Sequence, residues 1–202
     1  MNLAETYDRI AEDWHRDHSN DDWWVKGTEV LISKMPSGGT LLDVGCGSGV
    51  KAKYFLDRGF SVTGIDISKK LLEIARREAP YGHFELLKME NLAMLNQTFD
   101  TVFAQASLLH IPKAATGDVV RGMASCTNKG GHVYLAVKEV RPGKPEEGTL
   151  QENDYGYEYE RFFSYFTMQE LEGYLKAAGL TIVWQEATPA GSTVWLQIIG
   201  SK

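Results

Sequence analysis

The apolar run Leu41-Leu42-Asp43-Val44 ends beside an acid and runs into Gly45, Gly47 and Gly49. Glycine at alternate positions permits a tight turn with positive φ and leaves no Cβ between the main chain and a ligand. That is the chemistry of a nucleotide-binding loop. A dinucleotide fingerprint, G-x-G-x-x-G, holds a pyrophosphate at a helix N-terminus and needs its third glycine where this chain has Val50. The spacing here is G-x-G-x-G, with Asp43 two residues ahead of Gly45, and a carboxylate there suits a cationic amino group better than a phosphate. The next alternating run, Phe60 to Ile65, reads as a strand ending at Asp66, 23 residues beyond Asp43. That distance leaves room for one helix, so the segment reads as a βαβ unit with an acid at each strand tip. A carboxylate at the second tip can accept hydrogen bonds from both hydroxyls of a ribose. Cys46 is read as a small spacer in the loop.

These residues resemble the class I S-adenosylmethionine-dependent methyltransferases of the small-molecule, Rossmann-like type. Asp43 to Gly49 looks like their first motif, and Asp66 matches the ribose-binding acid. Lys88-Met89-Glu90-Asn91-Leu92 stands where the family often has an aspartate-led adenine loop. Phe99 to Ala104 is similar to the fourth strand, and Lys129 to Leu135 to the fifth with its preceding turn. The resemblance is strong over residues 37–140 and weak elsewhere. It implies transfer of a methyl group from S-adenosyl-L-methionine to O or N of a small molecule, with S-adenosyl-L-homocysteine as product. The cofactor contacts it implies are Asp43, Gly45, Cys46, Gly47, Gly49, Asp66, Ile67, Met89 and Gln105. Lys88 departs from the pattern: lysine has no acceptor for the adenine amino group. The backbone N–H of Met89 can still donate to the ring, and its thioether can pack on it. A non-catalytic S-adenosylmethionine-binding or regulatory protein is compatible with Lys88. An NAD(P)-dependent oxidoreductase is disfavoured by the missing third glycine.

For the acceptor side, three residues stand out. His110, after the fourth strand, is similar to a histidine that many relatives carry and could act as a general base, or pack against backbone. Tyr7 lies on a helix resembling the family's lid, where an aromatic hydroxyl can meet the cofactor's carboxylate; with Ile10 and Trp14 it could also simply pack that helix down. Arg161, in the aromatic stretch Asp154 to Phe163, could grip a substrate carboxylate or phosphate bidentately, or pair with Glu158 or Glu160. His15 and His18 with Asp17, Asp21 and Asp22 read as a solvated polar face, and no metal is expected.

The elements that must position these groups alternate along the chain. Helices are expected near 3–16, 22–35, 48–57, 68–78, 113–127 and 167–178, and strands near 40–44, 61–65, 83–87, 99–104, 131–138, 180–186 and 193–199. Such alternation predicts an α/β fold; the resemblance makes it Rossmann-like, a mostly parallel seven-stranded sheet with an antiparallel last strand and helices on both faces. A single domain, 1–202, is expected: lid helices in 1–36, a cofactor-binding core in 37–140, a substrate-side insertion in 141–166, and a C-terminal helix and hairpin in 167–202. Thr188 to Ser192 is expected as the hairpin's spacer. The net charge of −6, from 21 Lys plus Arg against 27 Asp plus Glu, disfavours a nucleic-acid partner. Two cysteines imply no disulfide framework, and no apolar run reaches the ~20 residues that span a bilayer. The expectation is a cytoplasmic monomer or homodimer acting on a small molecule, away from membranes.

Overall fold

Strands whose side chains are apolar at nearly every position must be covered on both faces, and the centre of this chain has several. The computed structural model describes residues 2–202. Its strands are β1 Thr40–Val44, β2 Ser61–Asp66, β3 His83–Leu86, β4 Phe99–Gln105, β5 Thr127–Lys138, β6 Glu147–Glu152, β7 Tyr159–Ser164, β8 Thr181–Ala190 and β9 Thr193–Ser201. Its helices are α1 Leu3–His18, α2 Val25–Ile32, α3 Val50–Leu56, α4 Lys69–Glu78, α5 Lys113–Ser125 and α6 Met168–Ala177. Seven strands form one sheet in the order β3-β2-β1-β4-β5-β9-β8, parallel from β3 through β5, with β9 antiparallel to both of its neighbours. The expected α/β sheet with an antiparallel last strand is present. β6 and β7 make a separate antiparallel hairpin.

The period of two along each strand divides the core. On β4, Val102 and Ala104 join α5 and α6 on one face, through Val119, Val120, Met123, Leu171 and Leu175. Phe103 faces the other way, toward Phe55 of α3 and Leu72 of α4, and stacks on Tyr134 with centroids 4.7 Å apart. Full burial of each such side chain contributes about 1.5–3 kcal/mol. A third cluster seats α1 on α4 and the hairpin, through Tyr7, Ile10, Leu71, Ile74 and Tyr159.

Caps set the helix starts near the site. The Ser68 hydroxyl accepts from the Leu71 N–H at 3.1 Å, and Thr167 forms a reciprocal capping box with Glu170. α2 starts at Val25, not 22, because residues 21–24 turn on a bond from the Trp24 indole to the Asp21 carbonyl. β5 begins at Thr127, earlier than expected, and β8 runs on to Ala190. Thr188, Pro189 and Ala190 therefore lie in the ladder, and only Gly191 and Ser192 turn. Pro189 is tolerated because β8 is an edge strand, where a missing N–H breaks no sheet bond. Among the described residues no helix is long and apolar enough to cross a membrane.

Candidate functional site

The carboxyl ends of β1, β2, β4 and β5 open into a cavity of about 570 Å³ lined at one end by the glycine loop. Gly45, Gly47 and Gly49 have φ of 75°, 54° and 82°. The Gly45 and Cys46 N–H groups donate to the Ile65 carbonyl at 2.8 and 2.9 Å, tying the loop to β2. The Asp66 carboxylate accepts from the N–H groups of Gly47 and Ser68, each at 2.9 Å, and also lines the cavity. A Cβ on Gly45 would stand 2.3 Å from the Ser107 Cβ. Gly45→Ala is expected to cost about 2–4 kcal/mol, combining backbone strain with overpacking. Gly59, also at positive φ but with open space around it, should cost only about 1 kcal/mol on the same change. Urea unfolding of both variants checks this; equal losses would contradict the close approach.

Among the described residues, three polar atoms at this end are buried without a partner: Oδ2 of Asp43 and both amide atoms of Gln105. Asp43 is 2% exposed, and burial pushes its carboxyl up to about 7, against the pull of Lys51 and with Asp66 adding to the rise. Lys51, in the first turn of α3, lies over the Trp24 ring at 5.2 Å. Desolvation draws its ammonium below the usual lysine range, against the attraction of Asp43 and Asp21. Burial holds the Cys46 thiol protonated, so this residue supplies bulk rather than a nucleophile.

The other end is organised around His110. Its Nδ1 is 2.7 Å from the Phe162 carbonyl, an acceptor, so Nδ1 carries the proton. Nε2, 2.7 Å from the Tyr7 hydroxyl, then accepts, and Tyr7 donates. Tyr7 in turn accepts from Arg161 at 3.3 Å. The rest of the Arg161 fork is bidentate to Glu152, at 2.7 and 2.6 Å. Burial holds the His110 imidazole down to about 3, offset in part by the Phe162 carbonyl and reinforced by Arg161 and Lys138.

α1 covers the cavity. It is clipped to the hairpin by Tyr157 donating to Asp13 at 2.8 Å and Arg9 donating to the Glu158 carbonyl at 2.9 Å. Asp8 accepts from the Ser68 hydroxyl at 2.7 Å, and Trp14 packs over Gly47.

The structure thus brings Asp43, Gly45, Cys46, Gly47, Asp66, Ile67, Met89 and Gln105 to one cavity, with Tyr7, His110 and Arg161. Gly49 is the exception, since it faces Ala75 behind the loop. Arg161 corrects one expectation: its fork is bidentate to Glu152 rather than paired with Glu158 or Glu160. His15 meets the Ser48 hydroxyl at 2.9 Å and His18 stacks on Trp14, so the polar face is partly turned inward. Among the described residues no group of three His, Cys, Asp or Glu side chains could hold a metal. Sequence reasoning missed Lys51, Lys138, Trp23 and Trp195, all of which line the cavity. The one signal was positional: Lys138 closes an apolar strand at its carboxyl end, where ligands lie in such sheets.

The chain matches the family described as "Methyltransferase domain" over residues 11–185. It is 34% identical over 118 residues to a ubiquinone biosynthesis O-methyltransferase of Ralstonia nicotianae, covering 56% of this chain and 47% of that protein. It is 36% identical over 104 residues to the Vibrio parahaemolyticus protein of the same name, covering 49% and 43%. The chain spans about half the length of these curated relatives. Among solved structures, Burkholderia thailandensis 1,6-didemethyltoxoflavin-N1-methyltransferase superposes with a TM-score of 0.77 at 20% identity, covering 99% of this chain and 87% of that one. Magnesium protoporphyrin IX methyltransferase from Synechocystis does so at 0.75 and 16% identity, covering 99% and 95%. These two likenesses establish a shared fold. The match to the family over most of the chain goes further, and the protein belongs to the methyltransferase-domain family.

Proposed function

We propose that the protein transfers a methyl group from S-adenosylmethionine to an oxygen or nitrogen of a small molecule, releasing S-adenosylhomocysteine. The observation that carries this reading is the buried, unpartnered Asp43 carboxyl oxygen beside a glycine loop at the ends of the parallel strands. Such an orphan costs on the order of 1–3 kcal/mol unless a ligand satisfies it, and an ammonium group does so. In this reading Asp43 holds the cofactor's ammonium and Lys51 its carboxylate. The free lone pairs of Asp66 take the ribose hydroxyls, Ile67 and Met89 flank the adenine, and Gln105 lies beside the methionine portion. When bound, the cofactor would supply an electrophilic sulfonium methyl to a lone pair of the acceptor, the electron pair of the broken S–C bond staying on sulfur.

The chain's own residues supply position and dryness. Held in line, two reactants can gain up to about 7–11 kcal/mol over the same encounter in solution. Residues 1–36 act as the lid, 37–140 as the cofactor-binding core and 141–166 as the acceptor-side wall. His110 is a positioning residue: with both ring nitrogens engaged and the imidazole neutral, it fixes the direction of the Tyr7 hydroxyl. The experiment is incubation with methyl-tritiated S-adenosylmethionine and a panel of phenols, catechols and anilines. Label should appear in at least one product, and the Asp43→Asn variant should transfer none. Cofactor binding without transfer to any acceptor would favour a regulatory binding protein; no binding at all would overturn the reading.

A further inference from the structure

The acceptor end of the cavity carries an ammonium group with no counter-charge of its own. Lys138 ends β5, directly across the ladder from Trp195 on β9. Its Nζ lies over the Phe163 ring at 4.6 Å and over the Trp195 ring at 5.7 Å. Among the described residues its ammonium makes no ion pair, and Glu152 is the one acid whose charge reaches it. Ring faces attract a cation but do not neutralise it. The same Phe163 ring also receives the Arg161 guanidinium, 5.1 Å from its centroid. Glu152, the nearby acid, gives both oxygens to Arg161.

The local balance is therefore three cations, Lys138, Arg161 and Arg141, against the one carboxylate of Glu152, beside a neutral His110. Desolvation and the neighbouring Arg161 and Arg141 all disfavour the charged form of Lys138, with only Glu152 favouring it. A half-buried lysine in that setting is stabilised by an incoming anion. The walls specify the anion's shape. Trp23 stacks flat on Trp195 with centroids 4.0 Å apart, and both line the cavity with Phe163, leaving apolar ring surface around the ammonium.

We propose that the acceptor subsite takes a planar aromatic ring bearing one negative charge, an ionised hydroxyl or a carboxylate, with Lys138 binding the charge and Trp195 and Phe163 holding the ring. The inference rests on the methyltransferase reading only for the word acceptor; the subsite's preference for an anion is testable without turnover. An acceptor held as its anion also needs no base from the chain, in keeping with the engaged nitrogens of His110.

The probes are 4-nitrophenol, whose anion is yellow, 4-nitrobenzoate, and uncharged nitrobenzene. Each is titrated into the wild-type chain and into Lys138→Met and Lys138→Arg, with and without S-adenosylhomocysteine. The wild type should bind both anions about tenfold or more tighter than nitrobenzene, the ratio expected for one charge-assisted hydrogen bond. Bound nitrophenol should stay yellow below the pH at which it ionises in water. Lys138→Met should erase the preference, and Lys138→Arg should keep it, with nitrobenzene binding unchanged in both. Equal binding of charged and neutral probes by the wild type, failure of any anion to bind, or an anion preference that survives in Lys138→Met would overturn the proposal. Calorimetric titration of S-adenosylhomocysteine into the same three proteins reads the cofactor site separately. Its failure in the wild type would count against the methyltransferase reading while the probe results still judge the subsite.

Discussion

Asp43→Asn is expected to make the ligand-free protein more stable at pH 8 while removing most of its affinity for S-adenosylhomocysteine. In the unfolded chain this carboxyl titrates near its ordinary value of 3.8; in the fold, burial pushes it up to about 7. The folded state holds the proton more tightly, so the associated stability is fully present below about pH 4 and is lost as pH rises through 7. Asparagine has no proton to lose. The variant should gain on the order of 2–4 kcal/mol at pH 8, a difference that fades toward pH 4, as read from urea unfolding at several pH values. Binding runs the other way. An ammonium ligand needs the carboxylate form, so wild-type affinity should fall about tenfold per unit as pH drops below 7. The variant should show no such slope and bind at least about thirtyfold more weakly at pH 8. A variant that binds like the wild type would mean the ammonium does not sit on Asp43.

The second large effect is expected at Glu152, whose side chain is 17% exposed and faces the 11%-exposed Arg161. Glu152→Gln leaves the guanidinium buried without a counter-charge and should cost about 3–5 kcal/mol of unfolding free energy. The same change in an Arg161→Met background should cost far less, because no buried charge is stranded. A single-variant loss under about 1 kcal/mol would mean the pair behaves as a screened surface ion pair. The loss would also reach the lid, since Arg161 bonds to the Tyr7 hydroxyl that anchors α1.

The parts of the molecule legible in the sequence are those whose constraint is local. The turn after β1 requires positive φ at alternate glycines, and the Asp66 carboxylate takes its backbone hydrogen bonds from Gly47, Ile67 and Ser68, so pattern and geometry coincide within one βαβ unit. What escaped depends on pairing between distant segments. Lys138 becomes a cavity residue because β9 pairs it with Trp195, and Trp23 reaches the same place from the chain between α1 and α2. Arg161 finds Glu152 because the hairpin register sets Leu150 opposite Arg161, placing Glu152 one diagonal step away on the same face. Its neighbour Glu160 pairs instead with Gln151, at 2.8 Å. Pro189 misled for a related reason: whether a proline ends a strand depends on whether that strand is an edge, which is a property of the whole sheet.

A crystal structure of the protein with S-adenosylhomocysteine tests where the cofactor sits. The ligand's ammonium is expected on Asp43, its carboxylate toward Lys51, its ribose on Asp66 and its adenine between Ile67 and Met89. A ligand bound with its ends reversed, or seated away from the glycine loop, would contradict this placement.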